Sequence, residues 1–281
     1  MKTLITGANG QLGRELARLA GPGEIIKTDM AELDITDRDA VERFVSAHRP
    51  AIIFNCAAKT DVDACETGPE AAFRINAAGP RNLAMAAEAA GAALVHISTD
   101  YVFPGDGDRP LREWDEPGPK TVYGKSKLLG ERYVSQFCKQ HFIVRTSWLY
   151  GPDGNNFVRT IVKNAKAKGA LKVVNDQRGC PTYTADLARR LLKLSGTKEY
   201  GLYHCAGKGG CTWYEFAKKI IELSGVACEV SPCTTEEFPR PAPRPAYSVL
   251  DNMALRCTIG DEMRPWEEAL TDFMEKYGGS L

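Results

Sequence analysis

A tyrosine and a lysine, Tyr123 and Lys127, stand four residues apart in a segment with helical periodicity. Side chains at this spacing lie on the same face of a helix. A tyrosine with its ordinary pKa of about 10 exchanges protons poorly at neutral pH, and a neighbouring ammonium is expected to lower that pKa by favouring the phenolate. Such a tyrosine is suited to general acid catalysis. Because the same pair also occurs on ordinary surface helices, it indicates a proton-transfer site only together with other motifs.

A glycine-rich segment, residues 6–13, lies between the first predicted strand and the first predicted helix. Gly7 permits a tight turn, Gly10 lets the backbone approach a pyrophosphate, and Gly13 allows close packing of helix on strand. The helix N-terminus adds unpaired N–H groups and a positive dipole. Asp29 ends the second predicted strand, where an acidic residue accepts the ribose hydroxyls of adenosine. The segment predicts a dinucleotide-binding site, and a turn with coincidental glycines is the alternative.

Apolar runs of strand length alternate with segments of helical period, which is typical of a parallel sheet built from βαβ units. The predicted strands are 2–6, 24–27, 51–55, 93–98 and 142–146, and the predicted helices are 10–19, 37–47, 70–90 and 123–138. The pattern indicates an α/β fold, a Rossmann-like doubly wound parallel sheet, with residues 1–150 as the dinucleotide-binding domain.

After residue 150 the alternation becomes less regular. We predict that residues 151–170 and 206–281 form a smaller C-terminal substrate-binding lobe, and that about 171–205 return to the first domain. Four of the seven residues 239–245 are proline, so this stretch is expected to be an extended, ordered loop or lid.

The charges balance, with 36 Lys and Arg against 36 Asp and Glu. No overall basic field is available to hold nucleic acid or an anionic membrane, so neither is an expected partner. Uncharged runs are much shorter than the roughly 20 residues of a membrane helix, and the first residues do not resemble a signal peptide. The chain is therefore expected to be cytoplasmic, and a homodimer is left open.

Nine cysteines are present without a Cys-x-x-Cys pair or a nearby histidine cluster. An odd number of cysteines fits poorly with a closed disulfide framework. We interpret them as reduced, mostly buried thiols, and we predict no metal site.

Ser98, Thr99 and Asp100 end the fourth predicted strand, at the same sheet edge as the glycine segment. A hydroxyl there could bridge Tyr123 and a substrate carbonyl. The glycine segment, the strand-end Ser/Thr and Tyr-x-x-x-Lys occur in the order that is typical of the extended short-chain dehydrogenase/reductase family, which the chain resembles. Further motifs resemble the dTDP-4-dehydrorhamnose reductases of that family: residues 60–63 with Glu66, 98–103 with Gly105, 145–148, 155–157 and 176–182.

The resemblance implies transfer of a hydride from reduced nicotinamide to C4 of dTDP-4-dehydro-6-deoxy-L-mannose, giving dTDP-L-rhamnose. It implies that Tyr123 protonates the C4 oxygen, that Lys127 holds the nicotinamide ribose and lowers the tyrosine pKa, and that Thr99 hydrogen-bonds the reacting oxygen. It assigns Thr99, Asp100, Trp148 and Val62 to the sugar, with a purely structural role as the alternative for Trp148 and Val62. The residues that it assigns to the cofactor are Gly7, Gly10, Gln11, Leu12, Gly13, Asp29, Asp34, Ile35, Ala58, Lys59, Thr60, Tyr123 and Lys127.

Related enzymes with the same framework include nucleotide-sugar dehydratases and epimerases. A dehydratase of this superfamily typically has Asp-Glu after the strand-end threonine, whereas this chain has Asp100 and Tyr101. The missing glutamate disfavours elimination and leaves epimerisation open. Reductase-like chains also serve as regulatory subunits of methionine adenosyltransferase, and the presence of Thr99, Tyr123 and Lys127 argues against that role.

The choice of cofactor depends on charges near the end of the second strand. Asp29 would repel a 2′-phosphate and so favours NADH. Lys27 and Arg14 could pair with that phosphate and so favour NADPH. We predict NADPH, with NADH as the alternative.

Overall fold

The computed structural model describes residues 2–21 and 23–281; Met1 and Pro22, which fall within the predicted first domain, lie outside the described residues. The strands are β1 (Thr3–Thr6), β2 (Ile25–Thr28), β3 (Ile52–Asn55), β4 (Ala93–Thr99), β5 (His141–Thr146), β6 (Leu149–Tyr150), β7 (Ala170–Val174), β8 (Arg178–Gly179), β9 (Thr182–Tyr183), β10 (Gly201–His204), β11 (Cys211–Thr212) and β12 (Glu229–Cys233).

The α-helices follow the same numbering along the chain. They are α1 (Gln11–Leu19), α2 (Arg38–His48), α3 (Val62–Thr67), α4 (Pro69–Phe73), α5 (Gly79–Ala90), α6 (Val122–Phe137), α7 (Phe157–Lys168), α8 (Thr184–Ser195), α9 (Trp213–Ser224), α10 (Met253–Thr258) and α11 (Trp266–Tyr277).

Six parallel strands form the central sheet in the order β10, β5, β4, β3, β1, β2. Helices α1 and α8 pack on one face through residues such as Leu16 and Leu191. Helices α2 and α5 cover the other face through residues such as Val45 and Leu83. A parallel sheet buried on both faces explains why its strands are apolar runs without alternation. The predicted α/β, Rossmann-like doubly wound fold is confirmed.

The predicted helix 70–90 is interrupted in the structure. Residues Arg74–Ala78 form a π-helical turn between α4 and α5, and the N–H of Gly79 bonds to the carbonyl of Arg74. Pro80 follows at the start of α5 and has no N–H to continue the α-helical ladder. This turn contains Asn76, a fully buried residue that reaches the candidate site.

Residues after 150 contain more regular structure than the sequence suggested. Helices α7, α9 and α11 surround a core with Tyr150, Phe216 and Phe273 at its centre. Strand β7, assigned from sequence to the segment returning to the first domain, pairs with β12 instead of joining the central sheet. Strand β10 does join that sheet, beside β5. Apolar pattern alone predicts a strand but does not name its partner.

The proline-rich residues 239–245 form neither helix nor strand, in agreement with the predicted loop. In the part of the chain that the structure describes, every helix is too short or too polar to cross a membrane.

Candidate active site

The glycine segment connects β1 to α1. At this turn the backbones of β1, α1 and the loop after β3 approach one another closely. Gly7 has a φ of +64°, and a Cβ there would lie 2.6 Å from the backbone nitrogen of Ala57. A Cβ on Gly13 would lie 2.4 Å from the Gly7 carbonyl oxygen. Glycine is therefore required at both positions. The first intrahelical bond is that from Arg14 to Gly10, so the N–H groups of residues 11–13 are those of an open helix N-terminus.

A cavity of about 370 Å³ adjoins this turn. It lies between β1 and β3, where the strand order reverses and where ligands of open α/β folds bind. Its lining includes six residues that the sequence assigned to the cofactor: Gly7, Gly10, Asp29, Asp34, Ile35 and Ala58. The glycine turn, the open helix N-terminus and this cavity fit a dinucleotide.

Other residues assigned to the cofactor have different surroundings. The amide of Gln11 is bonded to the Asn155 carbonyl and to the Asn156 side chain. The Leu12 side chain is buried in the core beneath the sheet. Only the backbones of Gln11 and Leu12 can therefore serve a ligand at the turn. Thr60 is exposed at the end of its loop.

Asn76 holds the loop after β3 in place. This role of Asn76 was not predicted from the sequence. Its side chain accepts from the Lys59 N–H at 2.8 Å and donates to the Lys59 carbonyl and to the Ser126 hydroxyl, both at 3.0 Å. Its backbone oxygen would lie 2.2 Å from a Cβ on Gly130, so α6 approaches closely. Asn76 thus ties the cofactor loop to the helix that carries Tyr123. The π-turn that positions it has no local sequence signal other than Pro80.

A second cavity, of about 450 Å³, lies beyond the end of β2 and is lined by Arg14, Lys27 and Asp29. The Asp29 carboxylate accepts from the N–H groups of Asn9 and Met30. These bonds engage both oxygens of the Asp29 carboxylate with the backbone, and the cavity is also lined by three cations, Arg14, Arg18 and Lys27, and by Glu32. The cavity can therefore accept an anionic group such as a 2′-phosphate.

Tyr123 and Lys127 project from the first turns of α6, which is capped by Thr121 through the N–H of Gly124 at 3.0 Å. Both side chains are almost fully buried. The Lys127 Nζ donates to the carbonyl of Ile97 at 2.6 Å. Thr99, at the end of β4, donates to Asp100 at 2.9 Å and lies within hydrogen-bonding reach of the Tyr123 hydroxyl. The structure thus brings the three predicted catalytic residues together at the carboxyl edge of the sheet.

The expected lowering of the Tyr123 pKa is wrong for the protein on its own. Burial raises the pKa of the Tyr123 phenol, and the hydrogen bond with Thr99 only partly opposes this. Burial also lowers the pKa of Lys127 to about 8, against the opposing influence of Glu131. A buried Tyr123 is protonated at neutral pH, so it is a proton donor in this state.

The pKa of Asp100 also departs from its ordinary value. Burial raises the pKa of Asp100 to about 6, while hydrogen bonds with the side chains of Ser248 and Thr99 oppose the shift. The carboxylate can therefore change its protonation state close to neutral pH.

Of the residues assigned to the sugar, Val62 packs with Tyr123 and Cys65 in a small apolar cluster. Trp148 follows β5, the neighbour of β4, and is half-buried. Its ring stacks on Trp213, with centroids 3.4 Å apart, and its φ of +47° is unusual for a bulky residue. Trp213 was not predicted from the sequence, because no local pattern connects the two tryptophans.

Within the described residues there is no group of three or more His, Cys, Asp or Glu side chains placed to hold a metal. The nine cysteines are free thiols, and six of them are buried.

Comparison with known proteins identifies relatives over almost the whole chain. A sequence model of the family described as "RmlD substrate binding domain" matches residues 1–278. The spore coat polysaccharide biosynthesis protein SpsK of Bacillus subtilis is 46% identical over 277 residues, covering 98% of this chain and 97% of that protein.

Two solved structures are similar to this one. The dTDP-4-dehydrorhamnose reductase of Clostridium acetobutylicum has a TM-score of 0.96 and 52% identity, covering 98% of this chain and 99% of that chain. The enzyme of the same name from Bacillus anthracis, in complex with NADP, has a TM-score of 0.96 and 45% identity, with the same coverage.

Proposed function

This chain belongs to the RmlD substrate binding domain family, and from that premise we infer that it is an NAD(P)H-dependent oxidoreductase, a dTDP-4-dehydrorhamnose reductase. It reduces the C4 ketone of dTDP-4-dehydro-6-deoxy-L-mannose to dTDP-L-rhamnose. The observation that carries the proposal is the buried group of Thr99, Tyr123 and Lys127 at the sheet edge that also bears the dinucleotide cavity.

The cofactor is NADPH, which supplies the hydride when bound. The N-terminus of α1 and the glycine turn bind its pyrophosphate. Asp34, Ile35 and Ala58 line the adenosine and ribose side, and Lys59 and Thr60 follow on the same loop, outside the cavity lining. Arg14 and Lys27 bind the 2′-phosphate, because Asp29 is already engaged by backbone N–H groups.

Tyr123 donates the proton that the C4 oxygen requires once it gains negative charge. The raised pKa keeps the phenol protonated until that moment. When the substrate binds, the Thr99 hydroxyl, which donates to Asp100 in the free protein, donates to the same oxygen instead and so positions it against the phenol. Lys127, held by the Ile97 carbonyl, presents its ammonium to the nicotinamide ribose and stabilises the phenolate that remains.

Asp100, Val62 and Trp148 contact the sugar. Residues 151–170 and 206–281 form the lobe that binds the sugar nucleotide, and residues 1–150 bind the dinucleotide. The position after Asp100 supports reduction over elimination, because Tyr101 packs edge-on against Tyr123, with ring centroids 5.5 Å apart, where a dehydratase would need a carboxylate base.

The substrate is a dTDP-sugar, and nucleic acid is not a partner. A cytoplasmic location stays a prediction of the sequence, and the sequence leaves a homodimer open. Sedimentation of the purified protein and fractionation of the producing cells check them.

The decisive experiment supplies dTDP-4-dehydro-6-deoxy-L-mannose with NADPH, or with NADH, and follows nicotinamide absorbance together with the stereochemistry of the product. A reductase consumes one NADPH for each dTDP-L-rhamnose formed. An epimerase or dehydratase would transform the sugar without net consumption of the cofactor, and that outcome would overturn the proposal.

A further inference from the structure

Helix α3 connects the catalytic helix to a distant part of the chain. Asp61 caps α3 through the N–H of Ala64 at 3.0 Å. Glu66, at its other end, accepts from the N–H of Val122, the first residue of α6, at 2.8 Å. Asp63 lies between Asp61 and Glu66 along α3, and its side chain bonds neither to α3 nor to α6. Instead, its carboxylate faces the stretch rich in proline.

That stretch, here called the proline segment, comprises residues 239–248. The Asp63 carboxylate accepts from the N–H of Ala242 at 3.1 Å and from the guanidinium of Arg244 at 2.9 Å. Arg244 also donates to the carbonyl of Ala242 at 3.0 Å. These three bonds form a closed ring between α3 and the segment. Burial opposes ionisation of Asp63, but the hydrogen bonds from Arg244 and Ala242 outweigh it, so the pKa of Asp63 is lowered.

The proline segment reaches two other parts of the site beyond Arg244. The N–H of Tyr247 bonds to the carbonyl of Gly105, which follows β4, at 3.0 Å. The carbonyl of Ala246 accepts from the N–H of Arg178, in β8, at 2.8 Å. Ser248 comes next, and its side chain lies close to the Asp100 carboxyl group. The segment therefore spans α3, the end of β4 and β8.

The segment faces Tyr101, which separates it from the catalytic tyrosine. A cavity of about 210 Å³ separates Tyr101 and Phe103 from Pro243 and Arg244. The ring of Tyr101 is in turn the edge-on neighbour of Tyr123. Movement of the segment would thus open the side of the site that faces Tyr123.

The prolines explain why a side chain, that of Asp63, holds the segment in place. Prolines at 239, 241, 243 and 245 have no N–H groups, so the segment cannot pair as a strand. Between Pro239 and Pro245 only Arg240, Ala242 and Arg244 retain a backbone donor. Of these, Ala242 uses its N–H on Asp63, and its side chain is almost fully buried.

We propose that Asp63 and Arg244 are positioning residues, and that their ion pair holds the proline segment closed over the sugar side of the active site. The proposal rests on the proposed reductase function, which supplies the sugar nucleotide that the closed segment retains. Neither residue touches the reacting atoms. Their effect is to keep Tyr101, Asp100 and β8 at fixed positions around the substrate.

The test compares Asp63→Asn, Arg244→Gln and the double variant with the unchanged enzyme. Asparagine keeps an acceptor for the Ala242 N–H and removes only the charge. Hydrogen bonds to charged groups typically stabilise by an amount equivalent to about tenfold or more in an equilibrium constant. We expect the KM for the dTDP-sugar to rise about tenfold in each single variant, with the dissociation constant of NADPH unchanged. The double variant should match the singles, because each single substitution already breaks the pair.

Asp272→Asn is the matched control. Asp272 pairs with Arg264 at 3.2 Å, and the side chains are 24% and 31% exposed, against 26% and 20% for Asp63 and Arg244. This control should leave the KM unchanged. An unchanged KM in Asp63→Asn, or a double variant whose effect is the product of the two singles, overturns the proposal.

Hydrogen exchange of residues 240–248 in the NADPH-loaded protein separates this proposal from the proposed function. Faster exchange of Ala242 in Asp63→Asn than in the unchanged protein supports the closed segment even if the dTDP-sugar is not turned over. Unchanged exchange contradicts it, whatever the activity.

Discussion

Arg145 donates two hydrogen bonds to the carboxylate of Glu131, at 2.9 and 2.7 Å, and both side chains are almost fully buried. The pair joins β5 to α6, and the Ser98 hydroxyl adds a third bond to the same carboxylate. Glu131 lies one helical turn after Lys127, whose ammonium it favours. Glu131 therefore has two roles: it pairs with Arg145 of the central sheet, and its negative charge favours the protonated form of the catalytic Lys127.

Glu131→Gln should destabilise the protein by about 3–5 kcal/mol, because the substitution leaves the Arg145 guanidinium buried without a counter-charge. Urea unfolding followed by circular dichroism measures this loss. Glu262→Gln is the control, since Glu262 pairs with Arg190 and Lys193 on the surface and should change the unfolding midpoint little. Equal midpoints for both variants would contradict the assignment of stability to the buried pair.

Tyr123→Phe should lower kcat about a hundredfold or more, because the phenol that protonates the C4 oxygen is removed while its ring is kept. The affinity for NADPH, measured by fluorescence quenching, should change little. Tyr133→Phe, on the same helix but packed beside Phe137, should retain full activity. Full activity in Tyr123→Phe would exclude the proton-donor role and leave the fold intact.

The dependence of kcat/KM on pH should be bell-shaped. As the pH rises through about 8, Lys127 loses its proton and can no longer stabilise the phenolate, so kcat/KM falls. As the pH falls through about 6, Asp100 gains a proton and loses its charge toward the sugar, so kcat/KM falls again. The basic limb does not belong to Tyr123, whose pKa is raised by burial.

Asp100→Asn provides the matched test of the acidic limb. The variant should be less active and should show no decline near pH 6, while the basic limb near pH 8 persists. An acidic limb that is unchanged in this variant would assign it to another group.

The coenzyme preference should depend on Arg14 and Lys27. Arg14→Gln and Lys27→Gln should each reduce the ratio of kcat/KM for NADPH to that for NADH by about tenfold, since each removes a charged partner of the 2′-phosphate. The kcat/KM for NADH should stay nearly constant. Arg43→Gln is the control, because it removes the same charge at an exposed position on α2 and should leave this ratio unchanged. If the ratio is unchanged in both variants, the cavity beside Asp29 does not hold the 2′-phosphate.

Much of the fold and of the catalytic group was predictable because its signals are local. Gly7, Gly10 and Gly13 lie within one turn, and Tyr123 and Lys127 are separated by one helical turn. Parallel topology then brings Thr99 to the same edge, because the carboxyl ends of β1, β3 and β4 coincide.

The features that sequence did not predict depend on tertiary neighbours. The Tyr123 pKa rises because burial outweighs the hydrogen bond with Thr99, and burial is set by elements that close over α6. Strand β7 finds its partner about sixty residues later. Asp63 and Arg244 are 181 residues apart, and no periodic pattern connects them.

Gly13 provides a test of the close approach at the glycine turn. In an exposed helix, replacing glycine with alanine stabilises by about 1 kcal/mol, because alanine has the higher helix propensity. At Gly13 the added Cβ would lie 2.4 Å from the Gly7 carbonyl oxygen and 2.7 Å from the Ala8 Cα. Both are backbone atoms, so β1 and α1 must separate.

We expect that separation to outweigh the gain in propensity. Gly13→Ala should destabilise the protein by about 1–3 kcal/mol, as overpacking in a tight interior typically does, and should weaken NADPH binding because the N–H groups of residues 11–13 move with α1. Gly21→Ala is the control, since a Cβ there would meet no atom within 4 Å. Urea unfolding and NADPH titration of both variants measure the two effects. A Gly13→Ala protein with unchanged stability and unchanged NADPH affinity would show that β1 and α1 can separate without cost, and the glycine turn would then not be the pyrophosphate site.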